Sequence, residues 1–185
     1  MGRTCWALES IDSAARAAHA NGLKVHLDGA RLLNAAIATH VAPATLAAHV
    51  NTLSFCLSKG GCPVGSLFCG SREAVEKARR WRKRLGGGWR QAGVMAAAGL
   101  WALENMVDRL DEDHRNARTL AEGWAELDGI DIDLSRVETN IVIFYLRQGA
   151  ARPSSLGAES RAFSGGGYVA GRCASSHTSA SLPRT

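Results

Sequence analysis

Along the first 148 residues the spacing of apolar side chains switches repeatedly between a helical and a strand period. That switching restricts the chain to an α/β fold with at least part of its sheet parallel. Residues 10–21 read as a helix, with Ile11, Ala14, Ala15 and Ala18 on one face and a stop at Asn21-Gly22. Residues 23–27 read as a short strand ending at Asp28-Gly29, and residues 31–40 open a helical segment. A short helix or turn at 44–49 follows Pro43. Residues 52–57 form a buried-strand run that ends at Ser58-Lys59-Gly60-Gly61, and 64–69 form another strand closed by Gly70.

Beyond this point helices dominate. Residues 72–85 place Ala74, Ala78, Trp81 and Leu85 on one narrow face, with Arg79, Arg80, Arg82, Lys83 and Arg84 over the opposite arc. The basic run is read as a solvated face rather than a nucleic-acid site. Gly86-Gly87-Gly88 breaks the helix; a plain breaker and an anion site near Arg90 both stay open. Residues 91–107 are apolar almost all round, as in a buried helix. Residues 108–127 line up Leu110, Ala117, Leu120, Ala121 and Trp124, and 137–146 read as the last strand. Trp81, Trp101 and Trp124 are all expected in the core.

Composition changes abruptly after residue 148. Residues 149–185 hold eight Ser, six Gly and two Pro, and their large apolar residues follow neither period, so this tail is expected to be disordered or poorly packed. Four arginines against Glu159 give the tail a net +3, leaving +2 of the chain's +5 for residues 1–148. That remainder is ordinary for a soluble domain, so the charge is weak evidence for a polyanion partner and no nucleic acid is expected. No apolar run reaches the roughly 18 residues of a membrane helix, and the N-terminus lacks a signal-peptide or myristoylation pattern, so no membrane partner is expected. Cys5, Cys56, Cys62, Cys69 and Cys173 form no CxxC pair, which reads as a reducing, cytosolic compartment without disulfides. The six histidines are too scattered to suggest a metal site.

Two strand ends carry the chemistry. One reads His26-Leu27-Asp28-Gly29-Ala30-Arg31 and the other Cys56-Leu57-Ser58-Lys59-Gly60-Gly61. In α/β sheets ligands bind beyond the carboxyl ends of strands, so an acid and an amine from two such ends could converge on one small molecule. A lysine there is a candidate amine nucleophile, and a nearby aspartate suits a cationic ring nitrogen. That pair is what pyridoxal phosphate (PLP) requires. Each motif alone also reads as an ordinary turn.

The segments HLDGARLLNAA, LSFCLSKGG, PVGSLFCG, ARRWRKRLGGGWRQAG and AAAGLWALE closely resemble the low-specificity L-threonine aldolases, PLP enzymes of fold type I in the aspartate aminotransferase superfamily. The likeness runs from about residue 22 to residue 146 in one register. It implies a partial type I PLP-dependent transferase large domain plus the first strand of the small domain. The implied boundaries are 1–127 for the large-domain part, 128–148 for the start of the small domain and 149–185 for the tail. It implies that Lys59 holds PLP covalently, that Asp28 pairs with the pyridine nitrogen, and that Arg31 lies near the ring oxygen and the substrate carboxylate. Arg90 would lie near the cofactor phosphate, and Ser58 would belong to the cofactor pocket. The implied reaction is retro-aldol cleavage of threonine or allo-threonine to glycine and acetaldehyde, in a homo-oligomer. The family's phosphate loop and ring-stacking histidine belong upstream of residue 1. His26 matches a family position but reads as structural. A rival reading is therefore an inactive fragment that at most docks onto a full-length subunit.

Overall fold

The computed structural model describes residues 4–146 and, as backbone, 168–173. Helix α1 (Leu8–Ala20) ends where Asn21 and Gly22 turn the chain, with Gly22 at φ +72. Strand β1 (His26–Asp28) is shorter than the expected 23–27 run, and it starts later. Helix α2 (Leu32–Thr39) and the one-turn α3 (Pro43–Leu46) then lead to β2 (Thr52–Cys56). Pro43 opens α3, where its missing N–H costs nothing. A 3-10 turn (Leu57–Lys59) carries the chain to β3 (Ser66–Gly70).

The first sheet has the order β1-β2-β3. β1 and β2 run parallel with Asp28 opposite Ser54, and β2 and β3 run antiparallel with Cys56 opposite Ser66. Helices α2 and α3 form the crossover that a parallel pair requires. Leu32, Ala36 and Leu46 are buried on it, packed against Ile11, Leu27 and Leu53.

Helix α4 (Arg72–Arg84) begins at a Ser71 cap whose hydroxyl accepts the Ala74 amide at 3.2 Å. Gly86 at φ +88 and the Gly87 N–H to Arg82 O bond of 2.8 Å close it, so the glycine triplet serves here as a helix terminator. Helix α5 (Gly93–Asn105) packs Ala102 against Leu57 and Cys62. Gly99 makes this approach possible, because a Cβ there would lie 2.8 Å from Leu57 Cδ1.

Helix α6 (Leu110–Ala125) buries Leu110, Ala117, Ala121 and Trp124, as its stripe predicts. Its solvent face carries ion pairs between Arg118 and Glu122 and between Arg115 and Asp111. A second sheet has the order β4-β5-β6, from β4 (Ile130–Asp131), β5 (Ile141–Leu146) and β6 (Tyr168–Cys173). β4 and β5 are antiparallel; β5 and β6 are parallel. β6 falls inside the segment expected to lack structure; the remainder of that segment lies outside the described residues. Helix α6 touches both α2 and β5, so it links the two halves.

Three further expectations need correction. Trp81 is 51% exposed and Trp101 59%, whereas Trp124 is buried. Leu85 does not face inward. Helix α5 is not a buried helix: among its large side chains Val94, Leu100 and Trp101 are exposed. The helical period identifies which residues share a face. It does not say that the described residues supply something to cover that face. Among these residues no helix is long and apolar enough to cross a membrane.

Candidate active site

The parallel pairing of β1 and β2 sets the geometry. Asp28 is the last residue of β1, and Lys59 closes the 3-10 turn that follows β2, so both lie at the carboxyl edge of the same two strands. The Gly29 N–H donates to Ser54 O at 2.8 Å, and a Cβ at Gly29 would lie 3.2 Å from that oxygen. A side chain at position 29 would crowd the two strand ends. The Asp28 carboxylate accepts the Ala30 N–H at 3.2 Å, which fixes the turn into α2. Arg31 stands at the start of α2, half-buried.

A cavity of about 800 Å³ runs between α1 and the 23–29 segment and reaches Asp28 at this edge. Asp28, Arg31, Asn34 and His26 line it from the chemical side, and α1 contributes a wall that includes Ile11 and Ala15. Its size lies within the range of small-molecule sites. His26 is held by a 2.9 Å contact between Nδ1 and Thr52 Oγ1, and its ring stacks on Phe68 at 6.0 Å.

Lys59, Ser58 and Arg90 are not among the residues that line this cavity. Lys59 is half-buried and Ser58 exposed on the adjoining turn. The turn is fixed by Gly65 O, which accepts the N–H groups of Leu57 at 2.9 Å and Ser58 at 3.3 Å. Gly61, at φ +91, would bring a Cβ within 2.7 Å of Met106 Cβ, so α5 reaches this loop as well. Arg90 is exposed in the turn before α5.

One link to Lys59 went unread in the sequence. Asn34, on the first turn of α2 and also on the cavity wall, donates from Nδ2 to the Lys59 carbonyl at 2.8 Å. Its Oδ1 lies 3.1 Å from His114 Nε2 of α6. An asparagine within the apolar run LLNAA was the available signal, since a buried amide requires partners. Burial pushes the His114 pKa below its ordinary 6.5, while the carboxylates of Asp111 and Asp113 pull it upward. The unfolded chain therefore takes up a proton at His114 before the folded chain does. Stability from this residue is complete above 6.5 and is lost as the pH falls from 6.5 to the lowered folded value. The wild-type urea midpoint should drop across that window by more than the midpoint of His114→Gln.

Comparison with known proteins gives these residues a context. Residues 1–148 match the model of the beta-eliminating lyases. Low-specificity L-threonine aldolase 1 of Arabidopsis thaliana is 42% identical over 150 residues, or 80% of this chain and 42% of the relative. The low specificity L-threonine aldolase of Escherichia coli (strain K12) is 43% identical over 136 residues, or 73% of this chain and 39% of the relative. The solved threonine aldolase of Leishmania major superposes with a TM-score of 0.60 at 18% identity, covering 72% of this chain and 40% of that one. At that identity the likeness is one of fold. The chain spans about two-fifths of the length of the curated relatives it matches.

Proposed function

Because the chain belongs to the beta-eliminating lyase family, we propose that it carries the lysine-and-acid half of a PLP site that cleaves threonine or allo-threonine to glycine and acetaldehyde. The observation that supports this most is the position of Asp28 and Lys59 at the carboxyl ends of adjacent parallel strands. The donor set fits the cofactor. It offers an amine for covalent attachment, a carboxylate for a ring nitrogen and a guanidinium for an anionic group.

When bound, PLP supplies an electron sink for the pair released as the Cα–Cβ bond of the amino acid breaks. In this reading Lys59 provides the attaching amine. Asp28 keeps a proton on the ring nitrogen, which maintains the ring's capacity to accept charge. Arg31, on the same cavity wall, orients the substrate carboxylate. Ser58 serves the cofactor pocket beside Lys59, and Arg90 serves the cofactor phosphate. Residues 1–127 would then be part of a large domain and 128–148 the opening of a small one. We place the protein in the cytosol, as a homo-oligomer.

The rival reading, a non-catalytic chain that docks onto a longer subunit, is favoured by one observation. Trp81, Leu85, Trp89, Val94 and Trp101 are all exposed on or beside α4 and α5. Acetaldehyde release separates the two. With added PLP, the enzyme reading expects acetaldehyde and glycine in equal amounts from L-threonine or L-allo-threonine. PLP retention without either product would leave the docking reading.

A further inference from the structure

We propose that Asn34 is a positioning residue for Lys59: held from behind by His114, its amide fixes the Lys59 carbonyl and so sets where the lysine side chain leaves its turn. This rests on the reading of Lys59 as the PLP-attaching lysine.

The turn's own backbone bonds converge on Leu57, whose carbonyl accepts the Gly60 N–H at 2.9 Å and the Cys62 N–H at 3.2 Å. These bonds hold the residues on either side of Lys59 but do not engage its carbonyl. Asn34 does, with Nδ2 at 2.8 Å from Lys59 O. The amide itself is constrained. Asn34 is 0% exposed, so an unpaired amide atom would be costly. Because Nδ2 donates to Lys59, Oδ1 must face His114. Nε2 of His114 must then carry the proton and donate it.

The chain from α6 to the lysine is therefore directional: His114 Nε2–H to Asn34 Oδ1, then Asn34 Nδ2–H to Lys59 O. The placement of Asn34 gives the link its significance. It stands three residues after Arg31 and six after Asp28, on the segment that leads from β1 into α2. One segment thus carries the acid, the guanidinium and the tether that holds the lysine's turn, so the three cannot shift independently.

The test reads the carbonyl directly. Lys59-Gly60 is the only Lys–Gly step in the sequence, so protein labelled with carbonyl-¹³C lysine and ¹⁵N glycine gives one cross-peak, from Lys59 C′ to Gly60 N. The full chain is compared with Asn34→Leu, His114→Leu and His114→Gln. Lys59 capture of PLP, fixed with borohydride and quantified by peptide mass, is measured in each, well below its own unfolding midpoint. In Asn34→Leu the Lys59 carbonyl resonance should move to lower frequency as its hydrogen bond is lost, and capture should slow by up to about 100-fold. His114→Leu should move both readouts the same way, and it carries the test if Asn34→Leu does not fold. His114→Gln, whose amide can still donate to Asn34, should restore both. An unmoved carbonyl, or wild-type capture despite a moved carbonyl, would overturn the proposal. If the carbonyl moves but the wild type captures no PLP at Lys59, the cofactor reading falls and the positioning role falls with it, leaving a structural tether.

Discussion

Lys59→Ala is expected to abolish PLP attachment at position 59 and to lower threonine cleavage on the order of 10⁴-fold or more, the scale seen when the covalent member of a catalytic unit is removed. The fold should survive. The Lys59 side chain belongs to none of the three buried clusters. Its carbonyl, the atom that Asn34 holds, is still present in alanine. The thermal midpoint should therefore stay near that of the wild type while attachment disappears. A large drop in stability would instead mean that the lysine side chain is structural. Lys59→Arg sharpens the comparison, since it keeps the charge but not a nucleophilic amine.

Trp124→Ala is expected to cost about 3–5 kcal/mol of stability. The indole is 6% exposed and meets Phe144 edge-to-face, with ring centroids 5.2 Å apart and planes at 73°. Around it lie Ala117, Ala121, Ile130 and Val142. A close-packed core relaxes only partly around such a deletion, so most of the indole's volume would stay as a void. Trp101→Ala is the contrasting case. That indole is 59% exposed, and the change should fall within about 0.5 kcal/mol. Urea unfolding of the two variants measures the difference. Equal losses would mean that Trp101 is covered in the purified protein, as self-association of the chain would cover it.

These two tryptophans also show what the amino-acid pattern could reveal. Trp124 lies on a helix that periodicity located, and α6 buries the stripe expected of it, whereas the helix of Trp101 was read from an apolar run without a period. Burial depends on a second surface, and periodicity carries no information about that. Strand β6 was illegible for a related reason. It pairs with β5 through backbone groups, in a segment whose side chains follow no period. β1 begins three residues late because the Leu23 N–H still donates to Ala18 O of α1 at 3.0 Å, and pairing with β2 starts at His26.

The candidate site was legible where neighbours in sequence are neighbours in space. Asp28 and Arg31 share one turn and one cavity wall, and Lys59 lies at the end of the adjacent strand's turn. The tether behind them was not legible. Asn34 reaches Lys59 across 25 residues and His114 across 80, distances over which no spacing rule applies. Ser58 rests on the family resemblance alone, and Arg90, beside the glycine triplet, stands exposed in the turn before α5.

The proposed site makes Lys59 chemically distinct from the other lysines, Lys24, Lys77 and Lys83. The most direct test is to incubate the chain with PLP, reduce with borohydride and map the modified lysines by peptide mass, with Lys59→Ala alongside. Label should concentrate on Lys59 and be lost in the variant. Label spread evenly over all four lysines, with Lys24, Lys77 and Lys83 labelled equally in the variant, would contradict it.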